Sequence, residues 1–523
     1  MSERTAKALT YLAQGAAMLR EVNPVDKAVE YFAPKAALNR HLARQALAYY
    51  EAAQPSRVRK FRRNDAGPNR QTGQGAVPIR VQARHLEQNH DIARGALRVI
   101  VNNVIGPKGI GIEPQPRRAD GSIHEAYAAA LLEVWRDWTR FPEVTRRHHW
   151  AKVQRLTART WLRDGEAFAQ KLVGPVRFLD HGTRVPFSLE LMEADRIPFD
   201  YSDEAKGIRQ GVQLNQWGRA VAYWAYKGHP TDGMHLLNPA DLKRVVADRI
   251  LHPAIVDRIG QVRGVSEFAS VINRLEDIKD YEESERVAAK IAAMLTAYVK
   301  RGNPDTFDPN QIPRDEDGNP IPREIPLQPG VIIDTLSMGE EIGLIDSKRP
   351  NPNLVQFRQG QLRAVAAGLG ASYSSISRDY DGTYSAQRQE LVEQWVNYAV
   401  LTDEFVGAFI QPVWETFVRV ADHAGVVPIP ADVKAGTADD AAYIGQSMPW
   451  IDPLKEAMGW LRLVRAGFAS EVEVLRKRGL NPHDVLEQIS EFRKKAREKE
   501  LQFDSDAAHG SPAPAARETE NAR

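Results

Sequence analysis

Three groups of side chains in this sequence have types and spacings that could do chemistry. The first is acidic. Glu276, Asp277, Asp280, Glu282, Glu283 and Glu285 crowd one stretch, against only Lys279 and Arg286. Carboxylates at that density could hold a divalent cation, as in a metal-dependent nuclease, but the same run also reads as a solvated helix face. The second is Ser372-Tyr373-Ser374-Ser375-Ile376-Ser377. A serine nucleophile needs a base to activate it, and none is spaced near, so a flexible loop is expected there. The third is His148-His149, whose adjacent side chains diverge on a helix or a strand; no metal site is expected. Gly106-Pro107-Lys108-Gly109-Ile110-Gly111 invites a phosphate-loop reading. A Walker loop needs Gly-Lys followed by Ser or Thr at a helix start, so a tight turn into a strand is expected instead. The chain contains no cysteine, which excludes disulfides, thiolate metal sites and cysteine nucleophiles. No catalytic constellation emerges, and no cofactor or metal is expected.

The elements that must carry these groups follow from periodicity. The 523 residues are 43% hydrophobic and 26% charged, enough apolar surface for a sizeable core in about three or four structural units. Lys plus Arg number 70 and Asp plus Glu 68, a net charge of +2, so no general basic coat for nucleic acid exists. No secretory leader and no membrane span are expected. Residues 1–50 read as mostly helical. The basic run Ser56 to Arg63 leads into a turn-rich stretch at 64–69, with no helix over 56–76. A solvated arm, a nucleic-acid arm and a subunit contact all fit that run. Apolar spacing of three and four residues marks helices at 82–104, 124–142 and 148–165. Between 166 and 230 the period shifts to two, giving strands separated by Gly, Pro, Asp and Asn turns. Over 265–300 the helical period returns with neither Pro nor Gly inside, a helix of roughly 50 Å. Residues 301–353 are rich in Pro, Asp and Gly and read as a small β insertion. Helices follow at 354–368 and 385–421, the latter broken by Gly407 and Pro412, and two or three more lie within 450–501. The composition after Phe503 reads as disordered. The fold class is α+β.

The order and spacing of several segments resemble one family. They are Tyr50-Glu51-Ala52-Ala53, Val101 to Gly106, Trp161-Leu162-Arg163-Asp164-Gly165-Glu166-Ala167-Phe168 and Met192-Glu193-Ala194-Asp195-Arg196-Ile197. Ile250-Leu251-His252, Gln261-Val262-Arg263-Gly264-Val265-Ser266, Ala366 to Tyr380 and Thr383 to Arg388 follow. Together they resemble the portal proteins of tailed bacteriophages, in the lambda-type branch. The resemblance implies a non-enzymatic, twelve-subunit ring at one capsid vertex, made in the host bacterial cytoplasm and carried in the virion. Double-stranded DNA passes through such a ring, non-specifically, during packaging and ejection. It implies a portal-like α/β wing with its N-terminal arm at 1–264, stem helices at 265–300 and 354–370, and a β-rich clip at 301–353. A tunnel loop at 371–384, a long wing helix at 385–424, a helical crown-side region at 425–502 and a disordered tail at 503–523 complete it. Ser372, Ser374, Ser375, Ser377, Arg378, Tyr380 and Tyr384 would line the channel loop. Glu276, Asp277, Asp280, Glu282 and Glu283 would line its wall. Asp305, Asp308, Asp315, Glu316 and Asp317 in the clip would dock the large terminase subunit, then a head-completion or adaptor protein. The major capsid protein and scaffold would be further partners. A channel must not grip, because each phosphate contact adds salt-dependent affinity; a near-neutral chain with an acidic long helix suits that. The rival readings are a nucleic-acid-processing enzyme using the 276–285 acids and another virion connector ring protein.

Overall fold

The computed structural model describes residues 66–232, 241–294, 297–301, 315, 340–344, 353–449, 452–501 and 503. Met1–Gly67 is one unit and Pro68–Arg523 another; only the second is described below. The helical reading of 1–50, the basic run at 56–63 and the tail beyond Phe503 lie outside the described residues.

The second unit opens with α1 (Pro68–Asn89) and α2 (Asp91–Val104), where the sequence places a loop and then one helix over 82–104. Pro68 explains the early start, since a first-turn residue needs no amide hydrogen and its fixed φ suits a helix. Asn69, read as a turn residue, is tied to a distant segment. Its Nδ2 donates to the Gly260 carbonyl at 2.8 Å and its Oδ1 accepts from the Val262 amide at 2.8 Å. The break falls at His90, which is extended (φ −122°) and caps α2 by accepting from the Ile92 amide. Its Nε2 donates to the Leu275 carbonyl at 2.9 Å. The cap is an imidazole held from another helix, so local sequence carries no sign of it.

The glycine-rich segment turns into β1 (Gly111–Pro114), as expected. Then come α3 (Glu125–Trp138), α4 (Trp150–Asp164), β2 (Phe168–Val173) and β3 (Phe187–Met192). The strands β4 (Ile208–Arg209), β5 (Val212–Leu214), β6 (Ala220–Tyr226), β7 (Leu242–Val246) and β8 (Ile250–Leu251) follow. All pair antiparallel, in one sheet of order β3-β2-β8 and another of order β4-β5-β6-β7. The main core is aromatic at its centre. Trp135 stacks on Trp138 at 4.8 Å, Trp138 stacks on Phe187 at 5.3 Å, and Trp414 meets Trp135 edge-on at 5.3 Å. Such ring pairs add about 0.5–1.5 kcal/mol each beyond their burial. A second apolar cluster, including Phe168, Met192, Val212 and Tyr223, lies between the two sheets.

The long helix is shorter than its apolar spacing predicts. A 3-10 turn over Glu267–Ser270 precedes α5 (Ile272–Met294), about 35 Å of helix. Residues past it do not extend it: β9 (Ala297–Arg301) pairs antiparallel with β10 (Glu340–Leu344), Arg301 opposite Glu340. A β-rich run of Ala-Tyr-Val that keeps a three-to-four spacing serves either structure, and the ladder partner forty residues on decides it. α6 (Leu354–Gly368) lies against α5. Tyr281 and Phe357 are 4.9 Å apart between ring centres, Arg274 donates to Gln361 Oε1 at 2.7 Å, and Arg358 pairs with Glu282.

The predicted loop at 371–384 contains a helical turn, α7 (Tyr373–Ser377). Then α8 (Tyr384–Phe405) runs into a π-helical turn, Val406–Ile410, and on into α9 (Gln411–His423). Gly407 lies in the π turn and Pro412 at the start of α9, so both breakers act where the sequence put them. The wider turn spares the Pro412 ring the clash it would have inside a regular helix. Residues 425–449 are not helical as the sequence reading has it. They return to the body through β11 (Ala441–Ile444), which pairs with β1. α10 (Pro453–Arg465), α11 (Glu471–Lys477) and α12 (Pro482–Glu498) follow. No helix among the described residues is long and apolar enough to cross a membrane.

Candidate functional site

The serine-rich segment is built by capping. Ser372 is extended, and its Oγ accepts from the Ser375 amide at 3.2 Å, which starts α7. Ile376 is buried and Arg378 closes the turn in the left-handed region (φ 59°). The hydroxyls are spent inside the chain. Ser374 Oγ donates to Glu390 Oε2 at 2.6 Å, Ser375 Oγ to Gln394 Oε1 at 3.1 Å, and Ser377 Oγ to the Tyr373 carbonyl at 2.8 Å. Ser372 Oγ donates to Ser375 Oγ at 2.6 Å. The flexible serine loop is thus a pinned turn on α8, because a cap and one buried isoleucine are enough to fix five residues. What faces outward is the stretch after it: Arg378, Tyr380 and Tyr384 are all exposed, and Arg378 makes no ion pair with a described residue.

The acids of α5 do not converge. Glu276, Asp277, Asp280 and Glu283 point to solvent and Glu282 is taken by Arg358. Of the clip acids, Asp315 is exposed, while Asp305, Asp308, Glu316 and Asp317 lie outside the described residues. Among the described residues, the group whose ligand atoms lie close enough to share a cation is Glu193, Asp195 and His229. Arg84 Nη2 sits 2.6 Å from Asp195 and 3.4 Å from Glu193, and Arg163 lies 3.5 Å from Glu193. Two guanidiniums already supply the positive charge a metal would bring.

Sequence reasoning missed the most elaborate polar arrangement. Glu166 and Arg263 are both fully buried and doubly bonded, at 2.6 Å (Nη2 to Oε1) and 2.9 Å (Nε to Oε2). Arg263 also donates to the carbonyls of Gln210 at 2.6 Å and Ile197 at 3.1 Å, and it lies 3.9 Å over the Phe199 ring. Glu166 further accepts from the Gly264 amide at 3.0 Å and from His252 Nε2 at 3.0 Å. Burial alone would raise the Glu166 carboxyl; the Arg263 charge and the hydrogen bonds outweigh it and hold it far below the ordinary range. Burial pushes the His252 imidazole down, against the pull of Glu166. Gly165 ends α4 at φ 90°, and a Cβ on Gly264 would stand 1.9 Å from the Gly165 carbonyl oxygen. Only glycine admits that approach. Tyr223, His252 and Glu166 lie in the order of an activated-nucleophile triad, with Tyr223 Oη 3.3 Å from His252 Nδ1. Tyr223 and Glu166 are buried, so the relay has no substrate access and joins the two sheets instead. Its one sequence signal was the pair of Gly-Glu and Arg-Gly dipeptides inside apolar segments.

The family model for phage portal protein, lambda family, matches residues 54–401. The chain is 25% identical over 428 residues to a probable portal protein of Halomonas phage phiHAP-1, covering 79% of each. It is 25% identical to portal protein B of Escherichia phage lambda over 316 residues, 54% of this chain and 58% of that one. The portal protein of Escherichia phage N15 matches at 25% over the same shares. Among solved structures, the neck of a native GTA particle computed with C12 symmetry gives a TM-score of 0.40 at 13% identity, over 78% of this chain and 94% of that one. The matched span includes Gly165-Glu166, His252 and Arg263-Gly264, the residues that meet in the buried node. The chain belongs to the lambda family of phage portal proteins.

Proposed function

We propose that twelve copies of this chain close into a ring at one capsid vertex, through which double-stranded DNA enters during packaging and leaves on infection. Membership of the lambda portal family over residues 54–401 carries this reading. α5 and α6 serve as the stem, the acidic face of α5 (Glu276, Asp277, Asp280, Glu283) as a wall that repels phosphate, and the insertion between β9 and β10 as the clip. The clip docks the large terminase, which supplies the ATPase, and later a head-completion protein. The wing meets the major capsid protein and scaffold. The chain itself catalyses nothing.

The C-terminal helices support a ring. α10 and α11 bury no residue within the chain, and Leu454, Phe468 and Leu486 are 75%, 81% and 69% exposed. Apolar surface of that extent is covered in an assembly, and a heterologous contact that closes makes a ring. Purified protein should therefore run at about twelve times the 58.5 kDa chain in mass photometry, with a central hole in negative stain. A stable monomer at micromolar concentration in mild salt overturns the assignment.

The exposed stretch after α7 lines the passage. Serines committed to Glu390 and Gln394 are poor places to probe it, whereas Tyr380 and Asp381 are open. Tyr380→Arg with Asp381→Arg should slow DNA translocation several-fold at low salt and much less at high salt, because added phosphate contacts are screened. Arg378→Asn keeps a residue that tolerates the left-handed backbone and should change DNA retention with the ring intact. Equal translocation rates for the double variant at both salts would take this stretch out of the DNA path.

A further inference from the structure

A groove of about 740 Å³ runs between the 106–111 turn, the end of α3 and the start of α12. Its floor is apolar, with Leu132, Trp135, Ile444, Leu480 and Val485. Its rim is cationic: Lys108, Arg136, Arg140 and Arg478 face it, and Asp484 is the one carboxylate of the described lining. Asp484 is used up on Arg136 at 2.9 Å. Lys108 and Arg140 are exposed and form no ion pair with any described residue. The backbone turn that carries Lys108 is pinned before anything binds. Arg155 Nη1 donates to the Gly106 and Pro107 carbonyls at 3.1 and 2.7 Å, and the Ile110 amide donates to Gln154 Oε1 at 2.7 Å. Trp150, on the same wall, has an indole N–H with no acceptor among the described residues.

We propose that this groove docks an acidic segment of another protein, one that carries an apolar anchor side chain. Charge complementarity selects carboxylates for the rim, and the floor selects a large apolar residue. A DNA backbone would satisfy the rim but leave the tryptophan and leucine floor against water. The pinned backbone of the 106–110 turn loses little freedom on binding, which favours a short segment. The proposal is separate from the ring reading, since it needs neither a channel nor a particular subunit number.

The test uses the full-length protein and a fluorescein-labelled peptide, Asp-Glu-Leu-Glu-Asp-Phe-Glu-Asp, followed by anisotropy. Two comparison probes are the same peptide with lysines for its acids and a short DNA duplex. The acidic peptide should bind, the lysine peptide should not, and the affinity should fall about tenfold or more between low and high salt. Lys108→Glu with Arg140→Glu should weaken the acidic peptide by at least about tenfold, while Lys108→Arg with Arg140→Lys retains it. Replacing the peptide's Leu and Phe by Ser should also weaken it. No binding, binding indifferent to the charge reversal, or a groove-dependent duplex signal in place of the peptide overturns the proposal. Loss of assembly in the charge-reversed variant, by mass photometry, would assign the groove to contacts between copies and overturn it too. A monomeric wild type that still binds the peptide as described would sink the ring and leave the groove standing.

Discussion

Arg263→Met should destabilise the Pro68–Arg523 unit by about 3–5 kcal/mol, because it removes the bidentate partner of a fully buried Glu166 carboxylate. Both side chains are fully buried, and the Arg80 guanidinium, 3.9 Å from Glu166, offsets only part of the loss. Pairing it with Glu166→Leu removes the stranded charge and should restore part of the stability. The carbonyls of Gln210 and Ile197 and the Gly264 amide then lose their partners, and each such orphan costs about 1–3 kcal/mol, so recovery stays incomplete. Denaturant melts followed by tryptophan fluorescence read all four corners of this cycle. The pH dependence has a definite sign. The Glu166 pKa is depressed in the fold, so its stabilisation is full above the ordinary glutamate value of about 4.3 and is lost as the pH falls toward the folded value. The His252 pKa is also depressed. Below about 6.5 the unfolded chain takes up a proton that the folded chain refuses, and stability again falls. Both groups make acid destabilising. Arg263→Met should flatten the lower part of that curve, since a buried Glu166 without its main partner is held less strongly in the charged form. A variant melting at the wild-type midpoint would show that the pair is not holding the sheets together.

Excising the insertion should leave a sound protein that cannot package DNA. Arg301 and Glu340 face each other across an antiparallel ladder, which sets their Cα atoms about 4.5–5.5 Å apart. A two-residue Asn-Gly turn spans that distance in the geometry such hairpins prefer, so residues 302–339 can be replaced without pulling on α5 or α6. Ring assembly, read by mass photometry, should match the parent. Packaging in vitro should fall to background, because the surface proposed to dock the terminase is removed. Packaging at the normal rate would move that surface to another part of the ring.

What the sequence revealed and what it hid follow from the range of the forces involved. Periodicity is local, so α3, α4, α6 and the strands between Phe168 and Tyr226 were legible from their own residues. The His90 cap on α2 and the start of α1 were not, because Leu275, Gly260 and Val262 hold them from far along the chain. α5 was read too long, since a three-to-four apolar spacing continues into a segment that Glu340–Leu344 claims as a strand. α7 was read as loop because five residues are too few to show a period, although Ser372 and Ser375 carried the capping chemistry. The Glu166–Arg263 pair spans ninety-seven positions and left only its two flanking glycines as a trace. The family resemblance found those segments without saying why they matter; the buried node is the physical reason.

The π turn at Val406–Ile410 has a consequence for angular phase. Phe405, Phe409, Val413 and Phe417 recur every four residues and are all fully buried. In an unbroken α-helix each step of four advances about 40° beyond a full turn, so three steps would smear the column over about 120°. One extra residue in a π turn takes back about 100°. The rod from Tyr384 to His423, about 60 Å of continuous helix, therefore keeps a single stripe of rings aligned with the tryptophan cluster. Its far end meets the serine turn in a fixed orientation. Deleting one residue of the turn, such as Ala408, would let it close to a regular α-helix with both ends still in phase, whereas inserting a residue elsewhere in the rod would act like a slipped gear tooth and rotate one end against the other by about 100°.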